Sequence, residues 1–345
     1  MKSRLIFTAI SIFVIAGSLL LDSCKKTDVS VRATIIPFNV PAGFPAPVFD
    51  FSRSPITQEG FQLGRKLFHD GRLSIDGNYP CSSCHQQLAA FTTFEHDRSH
   101  GINNSHTLRN APSLSNLAWI PIFNQDGSAA TLDDVFRSHI THTNEMGENV
   151  SRVVDKLKAD TAYQRLFRAA FGQKNISAEL MFDALSQYVL NLVSADSKYD
   201  KVMKGQAAFS VQEQQGYTVF QAKCASCHKE PLFTDYSFRN IGLEIDPDLK
   251  DYGRMQVTGN KNDSLKFRVP SLRNLEFTSY YSHDGRFSFP RMMLQHYRFG
   301  VKQSSTLDPL LVNGISLTNA EEDAIVAFLR TLSDSTFLNN PNYKE

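Results

Sequence analysis

Apolar residues recur at helical spacing along most of the chain. Gly60 to Phe68 places Phe61, Gly64, Leu67 and Phe68 on one face, and two longer stripes follow. The first is Tyr163, Leu166, Phe167, Ala170 and Phe171; the second is Met181, Ala184, Leu185, Tyr188, Val189 and Leu192. A three-and-four spacing is that of a helix burying one side, so these stripes are read as core rather than as cofactor-binding surfaces. Ser210 with Glu213 and Thr318 with Glu321 are capping boxes, pairs that satisfy the free N–H groups of a first helical turn. The first opens a helix from Gln212 to Phe220, and the second a helix whose Ile325, Phe328, Leu329 and Leu332 face inward. No run of alternating strand character lasts beyond a few residues, which predicts a mainly α fold.

Four departures from this pattern divide the chain. Lys2 and Arg4 precede an apolar run from Leu5 to Leu21, and Leu21-Asp22-Ser23-Cys24 then reads as a lipobox. This is the plan of an export signal over residues 1–23, with Cys24 as an acylation site that would tether the chain to a bilayer. An incidental thiol near an ordinary cleavage site, or a retained membrane anchor, is the alternative. Residues 24–50 carry Pro37, Pro41, Pro45 and Pro47 and suit an extended tether. A boundary near Asp200 to Gly205 separates a first domain, residues 51–200, from a second, residues 201–345. Between His228 and Pro270 the Asp, Asn and Gly content predicts a long ordered loop region.

Composition changes little. The chain has 345 residues, 41% of them hydrophobic, and a net charge of +1, enough for two globular domains. The lack of a long basic block beside aromatic residues argues against a nucleic-acid partner. Cysteine usage is informative: four of the five cysteines fall in Cys81-Ser82-Ser83-Cys84-His85 and Cys224-Ala225-Ser226-Cys227-His228. CxxCH is the covalent attachment motif of c-type haem, its thiols adding to the porphyrin vinyl groups and its imidazole taking the iron. The alternative is one zinc ion held by all four thiolates, which would idle both histidines. Gly64-x-x-x-Phe68 and Gly216-x-x-x-Phe220 stand at equivalent places ahead of the two motifs, the trace of a duplicated cytochrome c unit with close helix packing at the glycine.

Further landmarks stand around these motifs in a fixed order: LGRKLFHDGRLS from Leu63 to Ser74, RNAPSL from Arg109 to Leu114, EMGE from Glu145 to Glu148, and PSLRN from Pro270 to Asn274. Thr278-Ser279-Tyr280-Tyr281-Ser282-His283-Asp284-Gly285 and His296-Tyr297 complete the set. From Gly60 to Leu332 the sequence resembles the bacterial di-haem cytochrome c peroxidase family, whose relatives include the di-haem enzyme that matures the quinone cofactor of methylamine dehydrogenase. The resemblance implies two mainly α, cytochrome c-like domains, each holding one covalent haem, with the haems facing the domain interface. It further implies reduction of hydrogen peroxide at the His85 haem, with electrons from a small cytochrome or copper protein entering at the His228 haem. A periplasm-facing location follows, and a homodimer is left open.

Site residues carry over by position. Glu145 matches the distal acid, the alternative being a solvated surface carboxylate; buried against a haem, such a carboxyl is expected to titrate high. His100, before Gly101, matches the loop histidine that closes the first haem in resting enzymes, against a reading as an exposed loop residue alongside His96 and His106. Asn110, or else a turn-forming asparagine, matches a calcium ligand, with the backbone carbonyls of Thr278 and Tyr280 as further donors. Tyr297 falls where the quinone-maturing relative places a tyrosine on the second haem and classical peroxidases a methionine; a one-turn shift would instead bring Met293, beside Met292. Three departures stand out: Gln125 replaces a tryptophan before Asp126-Gly127, Val135 a distal glutamine, and His139 a common proline. Trp119 reads as core, and His139 or His142 is a candidate for handling protons. The rival functions are a peroxide-dependent oxidase of a protein or small molecule, and a non-enzymatic electron-transfer lipoprotein.

Overall fold

Helices form where the apolar stripes and caps place them, and a computed structural model describes residues 33–52, 54–94, 96–172 and 175–345. The export signal and Cys24 lie outside the described residues. The helices are α1 (Gln58–Phe68), α2 (Cys81–Cys84), α3 (Leu132–Thr141), α4 (Val150–Ala159), α5 (Thr161–Phe171), α6 (Ala178–Val189), α7 (Lys198–Met203), α8 (Val211–Lys223), α9 (Met255–Thr258), α10 (Pro290–Gln295), α11 (Asn319–Arg330) and α12 (Ser335–Leu338). α1 starts two residues before the predicted Gly60 because the Thr57 hydroxyl accepts from the Gly60 N–H and caps it there. Both predicted capping boxes form, at Ser210–Glu213 and Thr318–Glu321. The loop region after His228 contains one short antiparallel pair, β1 (Phe238–Arg239) with β2 (Phe267–Arg268), Phe238 standing opposite Arg268.

Two apolar clusters lie within residues Ala33–Glu345. α1 and α3 to α6 build the first around Leu63, Leu67, Val153, Tyr163, Phe182 and Leu185. α8 and α11 build the second around Phe220, Phe233, Phe328 and Leu332. The chain end returns to the first cluster, which includes Phe337, Leu338 and Tyr343.

One contact is made twice. A Cβ at Gly64 of α1 would stand 1.8 Å from the Ala184 carbonyl oxygen and 2.9 Å from the Tyr188 Cβ of α6. A Cβ at Gly216 of α8 would stand 1.9 Å from the Ala324 carbonyl oxygen and 2.9 Å from the Phe328 Cβ of α11. Only a residue without a side chain lets these backbones approach so closely. Each haem-motif segment is thus delivered by a helix locked against a partner by the same glycine-on-alanine crossing.

The described part of the proline-rich segment is bound to the protein from Thr34 onward, where the Thr34 N–H donates to Glu59 and the Thr34 carbonyl accepts from the Gln58 N–H. Ile36 N–H donates to the Ile56 carbonyl, and the Val48 and Phe49 N–H groups to the Ala118 carbonyl. Phe38 and Phe44 pack on Trp119, whose indole N–H donates to the Pro45 carbonyl at 2.8 Å. Its aromatic residues supply the burial that its prolines could not suggest. Trp119, 2% exposed, is core as read.

Candidate active site

The two CxxCH segments share one local design. In the first, α2 is a single turn after Pro80, and the His85 N–H donates to the Cys81 carbonyl at 3.0 Å. The second begins at the C-cap of α8, and the His228 N–H donates to the Cys224 carbonyl at 3.0 Å. Each imidazole is then held by a backbone carbonyl: His85 Nδ1 lies 2.8 Å from the Phe91 oxygen, and His228 Nδ1 lies 3.1 Å from the Phe233 oxygen. A proton fixed on Nδ1 leaves Nε2 as the free lone pair, the tautomer an iron ligand needs.

Those carbonyl turns are anchored in turn by a repeated Pro-Ser-Leu. Ser113 Oγ donates to the Ala90 carbonyl at 2.7 Å, and Ser271 Oγ to the Leu232 carbonyl at 2.6 Å, in each case the residue before the aromatic that orients the histidine. Asn116 and Asn274, three residues after each serine, both take left-handed backbone conformations ahead of a short 3-10 turn. Sequence reasoning used RNAPSL and PSLRN as landmarks and missed that they are two copies of one brace; the repeated Pro-Ser-Leu-x-Asn was the available signal.

Burial pushes the Cys81 thiol up to about 12, Cys84 to about 11 and Cys224 to about 12, and lowers the His85 imidazole to about 4. Buried neutral thiols suit thioethers in an apolar cleft rather than thiolates. Cys81 packs against the first apolar cluster and Cys224 against the second, and among the described residues no three His, Cys, Asp or Glu side chains converge to hold a metal ion. The four-thiolate zinc alternative therefore fails on geometry.

A cavity of about 570 Å³ adjoins the second motif, lined by Cys224, Cys227, His228 and Pro270, and by both Tyr297 and Met293. Its size is that of sites for large organic ligands, so the residues present fit a haem. Tyr297 belongs to a π-helical turn, His296–Gly300, that continues α10, and it is held there by two contacts. His296 Nε2 lies 2.9 Å from the Ile241 oxygen, and the Ile315 N–H donates to the Tyr297 carbonyl at 2.7 Å. Burial, and then the neighbouring Cys224 and Cys227, push the Tyr297 phenol well above its ordinary range.

At the first motif, Glu145 and His139 both lie close enough to His85 for their charges to alter its titration. Glu145 Oε2 is 2.5 Å from His139 Nδ1, and Glu145 Oε1 is 3.8 Å from His142 Nδ1; the Glu145 side chain is 20% exposed. The solvated-surface alternative for Glu145 is not what this geometry describes. The expected direction of its titration is reversed. Burial would push the carboxyl up, but the His139 hydrogen bond and the charges of His139, His142 and His85 outweigh it and hold it below the usual range. For His139, burial acts downward, and the hydrogen bond and charge of Glu145 prevail and raise it.

His100 sits on the loop that packs against the Glu145 turn, where the Ile102 N–H donates to the Glu145 carbonyl. The His100 carbonyl approaches Cys84 Sγ at 3.9 Å, while its ring meets Asn104 Oδ1 at 2.9 Å and lies between the rings of His96 and His106. Gly101 next to it has no room for a side chain, a Cβ there falling 2.1 Å from the Asn144 oxygen and 2.8 Å from Glu145 Cα. Asn110, Thr278 and Tyr280 all line the 570 Å³ cavity. The Asn110 Nδ2 donates to the Asp97 carbonyl at 2.7 Å, which leaves its amide oxygen as the donor a calcium ion would use. Gln125 Nε2 donates to the Asn110 carbonyl at 2.9 Å, and its Oε1 is buried without a partner among the described residues.

Two helix-delivered CxxCH sites, each with a carbonyl-fixed histidine, have the make-up of a di-haem protein of the cytochrome c type. Residues 58–208 match the family model described as di-haem cytochrome c peroxidase. The chain is 33% identical over 301 residues to methylamine utilization protein MauG of Methylorubrum extorquens, covering 86% of this chain and 83% of that one. It is 30% identical over 292 residues to cytochrome c551 peroxidase of Nitrosomonas europaea, covering 81% of each. Among solved structures, a MauG-like protein associated with microbial copper homeostasis superposes with a TM-score of 0.82 at 30% identity, covering 90% of this chain and 99% of that one. The chain belongs to the di-haem cytochrome c peroxidase family, and it is an oxidoreductase acting on peroxide.

Proposed function

We propose that this protein reduces hydrogen peroxide to water at the His85 site with electrons that enter at the His228 site from a small cytochrome or copper protein. The observation that carries the reading is Glu145, held by His139 at 2.5 Å and close enough to His85 for its charge to reach that imidazole. Cys81, Cys84 and His85 would hold one haem, and Cys224, Cys227 and His228 the other. Bound haem supplies an iron that can take a peroxide oxygen and change oxidation state. Glu145 moves the proton: it accepts one from the peroxide oxygen nearer His85 and returns it to the farther oxygen, which leaves as water.

Around these sites stand further assignments of the same reading. His100 would be a displaceable ligand of the first iron, and Asn110 with the Thr278 and Tyr280 carbonyls would hold a calcium ion. Residues 51–200 and 201–345 act as peroxidatic and electron-entry domains, with the chain exported and anchored through Cys24 on the periplasmic side of a membrane. No helix of the described residues is long and apolar enough to cross a membrane.

Tyr297 favours a second reading, a peroxide-dependent oxidase of a protein or small molecule. An anionic oxygen ligand lowers an iron's reduction potential where a thioether raises it, and a low potential at the entry site disfavours rapid uptake of donor electrons. Steady-state turnover with peroxide and a reduced cytochrome separates the readings. Fast donor oxidation supports the peroxidase, slow donor oxidation with a long-lived oxidised enzyme supports the oxidase, and no reaction leaves only an electron carrier.

A further inference from the structure

Glu145 and His139 come from different elements, and the backbone fixes both. Thr131 and Asp134 close a capping box at the start of α3, and His139 stands in its last turn. Past the helix, the Glu145 and Gly147 N–H groups both donate to the His142 carbonyl at 3.0 Å, and the Glu148 N–H donates to the Ile140 carbonyl at 2.8 Å. From the other side the Ile102 N–H donates to the Glu145 carbonyl at 2.9 Å, and Ser105 Oγ donates to the Asn144 carbonyl at 3.0 Å. The 2.5 Å contact between His139 Nδ1 and Glu145 Oε2 therefore follows from a braced turn rather than from one chance rotamer. A proline at position 139 could make no such contact.

We propose that His139 is a positioning residue for the peroxide step: its Nδ1 holds Oε2 of the Glu145 carboxyl and so fixes which way the other oxygen is presented to the His85 site. His139 takes Oε2, which leaves Oε1 for the substrate. Oε1 receives the proton of the nearer peroxide oxygen and returns it to the farther one as the O–O bond breaks. The bonding pair leaves with that oxygen as water, and the remaining oxygen accepts two electrons from the donor and two protons to become the second water. The groups whose charges reach Glu145 are His139, His142 and His85. The Cys81 and Cys84 thiols, which also feel it, lose their protons on haem attachment.

This inference rests on the peroxidase reading, and its test does not require turnover. The ferric holoprotein is titrated with acid by infrared spectroscopy, and the carboxyl of Glu145 is isolated as the difference between wild type and Glu145→Gln. The expected wild-type midpoint lies below the ordinary glutamate value of about 4.3. In His139→Gln it rises by roughly one to three pH units, the effect of removing a close opposite charge, and the acid limb of kcat/KM for peroxide rises with it. A wild-type midpoint above the ordinary value, or an unchanged midpoint in His139→Gln, overturns the proposal. The wild-type titration decides even if the variant does not assemble. Loss of peroxide turnover in wild type would instead remove the peroxidase reading and leave the infrared result standing.

Discussion

Glu145 shows how a single substitution nearby resets a side chain's chemistry. Its side chain is largely buried, and burial alone would make it a weaker acid, as its position in EMGE suggested. His139, six residues earlier, reverses the sign together with the charges of His142 and His85, and nothing in the one-dimensional pattern reveals that α3 and the EMGE turn fold back to bring His139 against it. Glu145→Gln is expected to keep both haems and slow the peroxide step by roughly 100- to 10,000-fold, the usual loss of a general acid or base; stopped-flow mixing of reduced enzyme with peroxide reads it. A second buried charge is structural. Arg273, 1% exposed, makes paired hydrogen bonds to Asp200 at 2.8 and 2.9 Å and donates to the Pro231 carbonyl. Burial pushes the Asp200 carboxyl up, but Arg273 and Ser197 prevail and lower it. A lowered folded value means the pair stabilises the protein above the unfolded carboxyl value of about 3.9 and that this contribution is lost as pH falls through the folded value. Asp200→Asn leaves a buried guanidinium unpaired, so denaturant unfolding at neutral pH is expected to show a loss of about 3–5 kcal/mol, with the difference from wild type shrinking below about pH 4.

At the scale of elements, helical stripes and caps were legible because they depend on local spacing. The duplicated crossing was visible only as two glycines, since its partners Ala184 and Ala324 lie over a hundred residues away in the chain. Gly64→Ala and Gly216→Ala each drive a methyl group into a backbone carbonyl, and overpacking of this kind costs typically about 1–3 kcal/mol. Thermal unfolding and haem content of the purified variants would register it, the Gly216 variant disturbing the second haem and the Gly64 variant the first. The π-turn at His296–Gly300 was not legible at all, because one residue's difference in helical winding leaves no mark in composition. Yet it decides which residues of that segment face the cavity, and π-turns inside helices recur at functional sites. Tyr297 as the iron ligand predicts no near-infrared methionine–ferric haem band in wild type. A band that persists in Tyr297→Phe and vanishes in Met293→Ala would assign the ligand to Met293.

For the whole molecule, the two CxxCH motifs and the ordered landmarks carried the family, because attachment chemistry constrains contiguous residues. What they could not convey is how the ends of the described chain are used. The extended segment with Phe38, Phe44 and Phe49, and the returning Phe337, Leu338 and Tyr343, both cover the first apolar cluster, a long-range pairing that no local periodicity encodes. The central claim is that peroxide is consumed at the His85 site with electrons from a protein donor. Its most direct measurement is an anaerobic titration of a reduced small cytochrome with hydrogen peroxide in the presence of catalytic amounts of the holoprotein. Electron balance predicts two cytochromes oxidised for each peroxide added, at a rate that falls in Glu145→Gln. Donor oxidation no faster than in the absence of the protein would contradict the account.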